Sequence, residues 1–175
     1  MLYATSLRAI GQSLEMLRLQ TFSLEKRGEA YIVRSDSLTP THQWILRNSL
    51  TGNLLHSVAP DPIGAETVGD GSLCYGPLDL ACLNAQKQKT RSNHHLGKRP
   101  EGHMLSDLLR ALGEHLDMKE ASAFNISWTS EAALVDYQTP DGSYERKGFS
   151  LEKLHQLALQ SKFRRSRSNG LIGSR

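Results

Sequence analysis

Cysteine is nearly missing from this chain: Cys74 and Cys82 are its only two. Two unpatterned cysteines make no disulfide framework, and they fit free thiols in a reducing cytoplasm. Their separation also lacks the short paired step of zinc ligands, and the neighbouring His94 and His95 add no recognised spacing, so no metal is expected. Long apolar runs are missing too. None approaches the roughly 18 residues needed to cross a bilayer, so no membrane association is expected. The N-terminal stretch interrupts its apolar residues every few positions, which argues against a secretory signal. These points together give a cytoplasmic expectation.

Catalytic signatures are missing as well. There is no G-x-S-x-G, no H-E-x-x-H and no reactive-cysteine context. The glycine-rich stretch 64–76 is not followed by Gly-Lys-Ser/Thr, so it is no phosphate-binding P-loop. Gly69, Asp70 and Gly71 form a lone G-x-G that follows no clear strand. No catalytic residue and no cofactor are therefore expected.

Acid is missing from two segments. Residues 84–99 hold five Lys/Arg and no Asp or Glu, and residues 160–175 repeat that composition. Ten of the chain's 21 basic residues sit there, while all 18 acidic residues lie elsewhere. The rest of the chain is consequently net acidic, although the whole carries +3.

What is present is a repeat. LRAIG at 7–11 returns as LRALG at 109–113. Without a gap, Leu14 then meets Leu116, Met16 meets Met118, Phe22 meets Phe124, and Val33 meets Val135. Ten of 27 aligned pairs are identical between residues 7 and 33. Each copy opens on a helix, because Leu7, Ile10, Leu14 and Leu17 share one face, as do Leu105, Leu109, Leu112 and Leu116. Alternating segments follow. Phe22 and Leu24, then 30–34, read as one hairpin; Phe124, Ile126 and Trp128, then 132–137, read as another. A third strand is expected at 43–49 in the first copy, with 54–58 as a possible fourth, and at 143–149 in the second, after the Asp141-Gly142 turn signal. Ser150 is an N-cap for a closing helix. Residues 59–76 read as loop, and a short helix is expected from Pro77 to about Gln86.

The expectation is an α+β fold: an internal duplication of a helix–strand–strand–strand unit, with antiparallel sheets, helices on one face and a pseudo-twofold arrangement. Whether the copies share one sheet is left open. The units are placed at 1–58 and 103–163, with a loop, short helix and basic linker at 59–102 and a flexible basic tail at 164–175.

Gly11 and Gly113 stand at equivalent places inside helices, where glycine costs about 1 kcal/mol relative to alanine. Close packing is the ordinary reason for that. Arg8 and Arg110 are equivalent as well and could grip one acidic ligand from both sides. The plainer reading pairs Arg110 with Glu114 one turn on. The basic segments carry the clearest functional hint. Lys87, Lys89, Arg91, Lys98 and Arg99, with Lys162, Arg164, Arg165 and Arg167, are candidates to neutralise nucleic-acid phosphates. Phe163 is the only aromatic among them, so base stacking has little support. The expected function is a small non-enzymatic binding module associated with nucleic acid through linker and tail. The alternatives are a protein–protein adaptor or assembly subunit, and an enzyme of unrecognised type.

Overall fold

The computed structural model describes residues 3–38, 72–91 and 104–170, with side chains placed through 84 and 162 in the last two stretches. The described residues form four helices and six strands. They are α1 (Tyr3–Met16), β1 (Phe22–Arg27), β2 (Ala30–Arg34), β3 (Ser72–Tyr75), α2 (Pro77–Arg91), α3 (Leu105–Met118), β4 (Ala123–Trp128), β5 (Ala132–Gln138), β6 (Tyr144–Ser150) and α4 (Leu151–Gly170). One antiparallel sheet runs in the order β3-β2-β1-β4-β5-β6. The class is α+β.

Period-two burial gives the sheet its inner face. Phe22 and Leu24, Tyr31 and Val33, Phe124, Ile126 and Trp128, Ala133, Val135 and Tyr137, and Phe149 all turn into one core. Leu7, Ile10 and Leu14 of α1 and Leu109, Leu112 and Leu116 of α3 cover them. Each such side chain contributes about 1.5–3 kcal/mol by leaving water. Leu80 and Leu83 of α2, with Leu154 and Ala158 of α4, join the same core. The helices therefore share one side of the sheet, with α2 flanking α1 and α4 flanking α3. The other face mixes ion pairs, Glu25 with Arg27 and Arg34 and Asp136 with Arg146, with the apolar Ile32 and Leu134.

Geometry repeats at the offset of 102 residues. Leu24 pairs with Val33 as Ile126 pairs with Val135. The helices α1 and α3 end alike. Arg18 and Glu120 take the left-handed conformation, at φ 56° and 51°. Leu19 N–H then donates to Leu14 at 3.3 Å, and Ala121 N–H to Leu116 at 3.1 Å. Both closures satisfy a carbonyl at the helix end, as a Schellman motif does.

The halves meet through two contacts. In the sheet, β1 pairs with β4, and Leu24 stands opposite Ile126. In the helix layer, a Cβ on Gly11 would lie 2.6 Å from the Ser106 Cα, and one on Gly113 would lie 2.5 Å from the Ala4 Cα. Glycine is required at both places because the helix backbones nearly touch. The contact is reciprocal in its caps too. Asp117 accepts the Tyr3 and Ala4 N–H groups at 2.8 and 3.0 Å, and Glu15 accepts the Ser106 N–H at 2.6 Å. Each helix thus supplies the carboxylate that satisfies the other's free N-terminal donors.

The strand beside β2 is formed by Ser72–Tyr75, at the end of the stretch read from sequence as loop. The expected strands at 43–49 and 54–58 lie outside the described residues. The helix expected to stop near Gln86 runs on to Arg91, and α4 runs on through Gly170.

Candidate functional site

The described part of each acid-free segment lies on an outer helix. Lys87, Lys89 and Arg91 occupy the C-terminal part of α2, and Lys162, Arg164, Arg165 and Arg167 the C-terminal part of α4. Basic residues late in a helix are stabilised by the negative end of its dipole. Lys98 and Arg99 lie outside the described residues. The two helices are launched alike. Tyr75 stands opposite Tyr31 and Phe149 opposite Ala133, at the offset of 102, and a helix begins two residues after each. Leu80 and Leu154, three residues further on, are both buried.

Contacts with α3 fix the middle of α4. Lys162 Nζ lies 3.2 Å from Asp107, and Ser161 Oγ donates to Glu114 at 2.7 Å. Lys162 therefore has one carboxylate already beside it. Arg110 Nε pairs with the same Glu114 at 3.3 Å, the one-turn pair that its spacing suggests. Arg8 has its Nε buried within the fold. Neither arginine is brought into a shared ligand grip by any contact among the described residues.

A cluster that sequence reasoning missed lies where α3, β5, β6 and the start of α4 meet. His115 of α3 sets its ring against Phe149 at 5.3 Å and Tyr137 at 6.0 Å, edge-on to both. Its Nε2 is buried without a hydrogen-bond partner among the described residues. Burial pushes the His115 pKa down, and the nearby Lys147, Lys119 and Lys153 charges push the same way. The Lys147 and Lys153 ammoniums lie 5.5 and 5.8 Å from the Phe149 ring centre. Lys119 approaches Glu145 at 3.8 Å, and the Tyr137 hydroxyl donates to that carboxylate. Burial, then the Glu145 hydrogen bond and charge, push the Tyr137 phenol up to about 12. The Tyr137 hydrogen bond holds the Glu145 carboxyl below its ordinary range.

The signal that could have found this cluster is the repeat itself. At the offset of 102, His115 and Lys119 replace Ser13 and Leu17. Lys147 stands opposite Val135 where Leu73 stands opposite Val33. Leu17 and Leu73 are buried in the first half. Three positions thus change from neutral to basic in the second half only: Lys119 for Leu17, Lys147 for Leu73 and His115 for Ser13.

Among the described residues, no group of three or more His, Cys, Asp or Glu side chains is placed to hold a metal ion. No helix among them is long and apolar enough to cross a membrane. The chain matches no protein-family model, no curated protein and no solved structure.

Proposed function

We propose that the chain is a doubled α+β unit, its copies related by a pseudo-twofold axis near Leu24 and Ile126. In this reading it acts as a non-enzymatic cytoplasmic module that holds nucleic-acid phosphates on the basic ends of its two outer helices. The duplication is supported by the common ladder register, the matching helix ends and the reciprocal Gly11 and Gly113 contacts. The function rests on one observation: Lys87, Lys89 and Arg91, and Lys162, Arg164, Arg165 and Arg167, fall on the C-terminal parts of α2 and α4, helices that leave corresponding strands. Two basic helix ends on one scaffold suit a polyanion, because binding to phosphates needs charge and not base readout.

Salt-dependent binding tests this. Labelled duplex DNA or single-stranded RNA should bind with an affinity that falls steeply with salt. Replacing Lys87, Lys89, Arg91, Arg164, Arg165 and Arg167 by glutamine should flatten the slope by about 0.7–0.9 for each phosphate that is no longer neutralised. Binding with an unchanged slope would discard the reading. Deleting residues 160–175 is a poorer test, since it also removes the Ser161 and Lys162 interactions with α3.

A second reading, a protein–protein adaptor, draws on β6. That seven-residue strand has only β5 beside it among the described residues, so its outer edge is open to strand addition. The groove between α1 and α3 offers no such place, since their backbones close on each other. Specific co-purification of a protein, insensitive to nuclease and abolished by a proline in β6, would favour it.

A further inference from the structure

We propose that Lys147 and Lys153, supported by Lys119, form a binding site for a single phosphate group above the His115–Phe149 pair. The site does not rest on the basic helix ends. Lys153 lies in the first turn of α4, and Arg164 is about 16 Å further along that helix at 1.5 Å per residue.

Three elements bring the cations together. Lys119 follows the C-terminus of α3, Lys147 sits on β6, and Lys153 opens α4. The Lys147 and Lys153 ammoniums are both held within 6 Å of one ring, that of Phe149. The same two charges and that of Lys119 all act on the His115 ring, so three cations converge around one pair of rings. One carboxylate lies among them: Glu145 accepts the Tyr137 hydroxyl, sits 3.8 Å from Lys119 and is also acted on by Lys147, while neither Lys147 nor Lys153 forms an ion pair with a carboxylate among the described residues. The Ser150 hydroxyl accepts the Lys153 N–H at 3.3 Å, so the start of α4 is ordered and its dipole adds positive potential.

The first half shows what the same framework does without this task. There Leu17 and Leu73 close the core, and Ser13 fills the place of His115. At the place of Lys153 stands Asp79, which accepts the Gly76 N–H at 2.8 Å. Opposite charge at the start of equivalent helices is not demanded by the fold. The charges facing His115 are Lys119 on its own helix end, Glu145 and Lys147 on β6, and Lys153 on α4; Tyr137 of β5 supplies a neutral phenol.

The full chain, labelled for NMR, is titrated with inorganic phosphate at constant ionic strength. Saturable shifts are expected at amides 148–153 and at the His115 ring. The K147Q/K153Q variant should bind at least about tenfold more weakly, the factor that one charge-assisted hydrogen bond corresponds to. The R27Q variant, altered at an exposed arginine elsewhere on the sheet, should bind as the parent does. A second arm uses a short single-stranded oligonucleotide without terminal phosphate. Shifts at the same residues that vanish in K147Q/K153Q would make the nucleic-acid backbone the source of the phosphate. A response to inorganic phosphate alone would make the source a small phosphorylated molecule. Shifts that do not saturate, or that saturate equally in folded K147Q/K153Q, overturn the proposal, whatever the six-residue glutamine variant does to the salt slope.

Discussion

The two halves solve one packing problem in different ways. Behind the first outer strand, Ser13 and Tyr75 meet: the Tyr75 hydroxyl lies 2.7 Å from Ser13 Oγ, which itself donates to the Ile10 carbonyl at 2.7 Å. Behind the second, His115 meets Phe149 with no such hydrogen bond. A small residue faces a large hydroxylated ring in one half, and a larger ring faces a plain ring in the other. The second pair is larger by most of an imidazole ring, since Tyr and Phe differ only by the hydroxyl, so the filling of the core and its polar chemistry change together. The first half is sealed by leucines, and the second half carries lysines in their places. Similar frames therefore hold unequal surfaces, and the proposed phosphate site draws on that inequality.

The comparison breaks most severely at the glycines. Gly113→Val and Gly11→Val should each cost about 3 kcal/mol, because the new side chain meets backbone and not a yielding side chain. Urea unfolding should show both losses, of similar size. A large loss at one glycine alone would refute the reciprocal contact.

Next comes the buried hydroxyl pair. Ser13→Ala should cost about 1–3 kcal/mol by leaving the Tyr75 hydroxyl buried without its partner. Adding Tyr75→Phe should recover part of that loss, and a double-mutant cycle measures the coupling. The caps rank lower. Asp117→Ala should cost about 1–2 kcal/mol, since two N–H groups lose their acceptor, and Glu15→Ala about 0.5–1 kcal/mol for its single one. Equal losses at the two would show that the second N–H bond to Asp117 adds nothing to the cap.

The smallest effect is in pH. Burial lowers the His115 pKa in the folded state. The unfolded chain then binds the extra proton first as pH falls below about 6.5. Stability contributed by neutral His115 is present above that pH and is lost progressively toward the lower folded pKa. His115→Leu should flatten this part of the stability profile, whereas Ser13→Ala should leave its shape unchanged. A profile that keeps its slope in His115→Leu would assign the effect to other groups.

Much of the frame was legible in the chain. The leucine spacing marks the inner faces of α1 and α3, and the alternation of Phe22 and Leu24 or Phe124, Ile126 and Trp128 marks the strands, because burial periodicity is a local property. Ser150 as a cap, the Asp141-Gly142 turn and the Arg110–Glu114 pair were legible for the same reason. Position 72–75 was not, since a four-residue strand among glycines has too little pattern to stand out. The lysine cluster was hidden because Lys119, Lys147 and Lys153 are far apart in sequence and each looks like an ordinary surface residue.

The sequence by itself determined that two stretches share a helix–hairpin pattern, which of their faces are apolar, and that glycine stands at the same point in each helix. Tertiary structure alone decided that β1 joins β4 in one sheet, that Ser72–Tyr75 supplies the strand beside β2, and that the helices bearing Lys87 and Lys162 flank the central pair. The reason is range. A side chain's tendency to leave water is written at its own position, whereas a strand's neighbour and a charge's company are fixed by contacts between residues tens of positions apart, and these exist only once the core has closed.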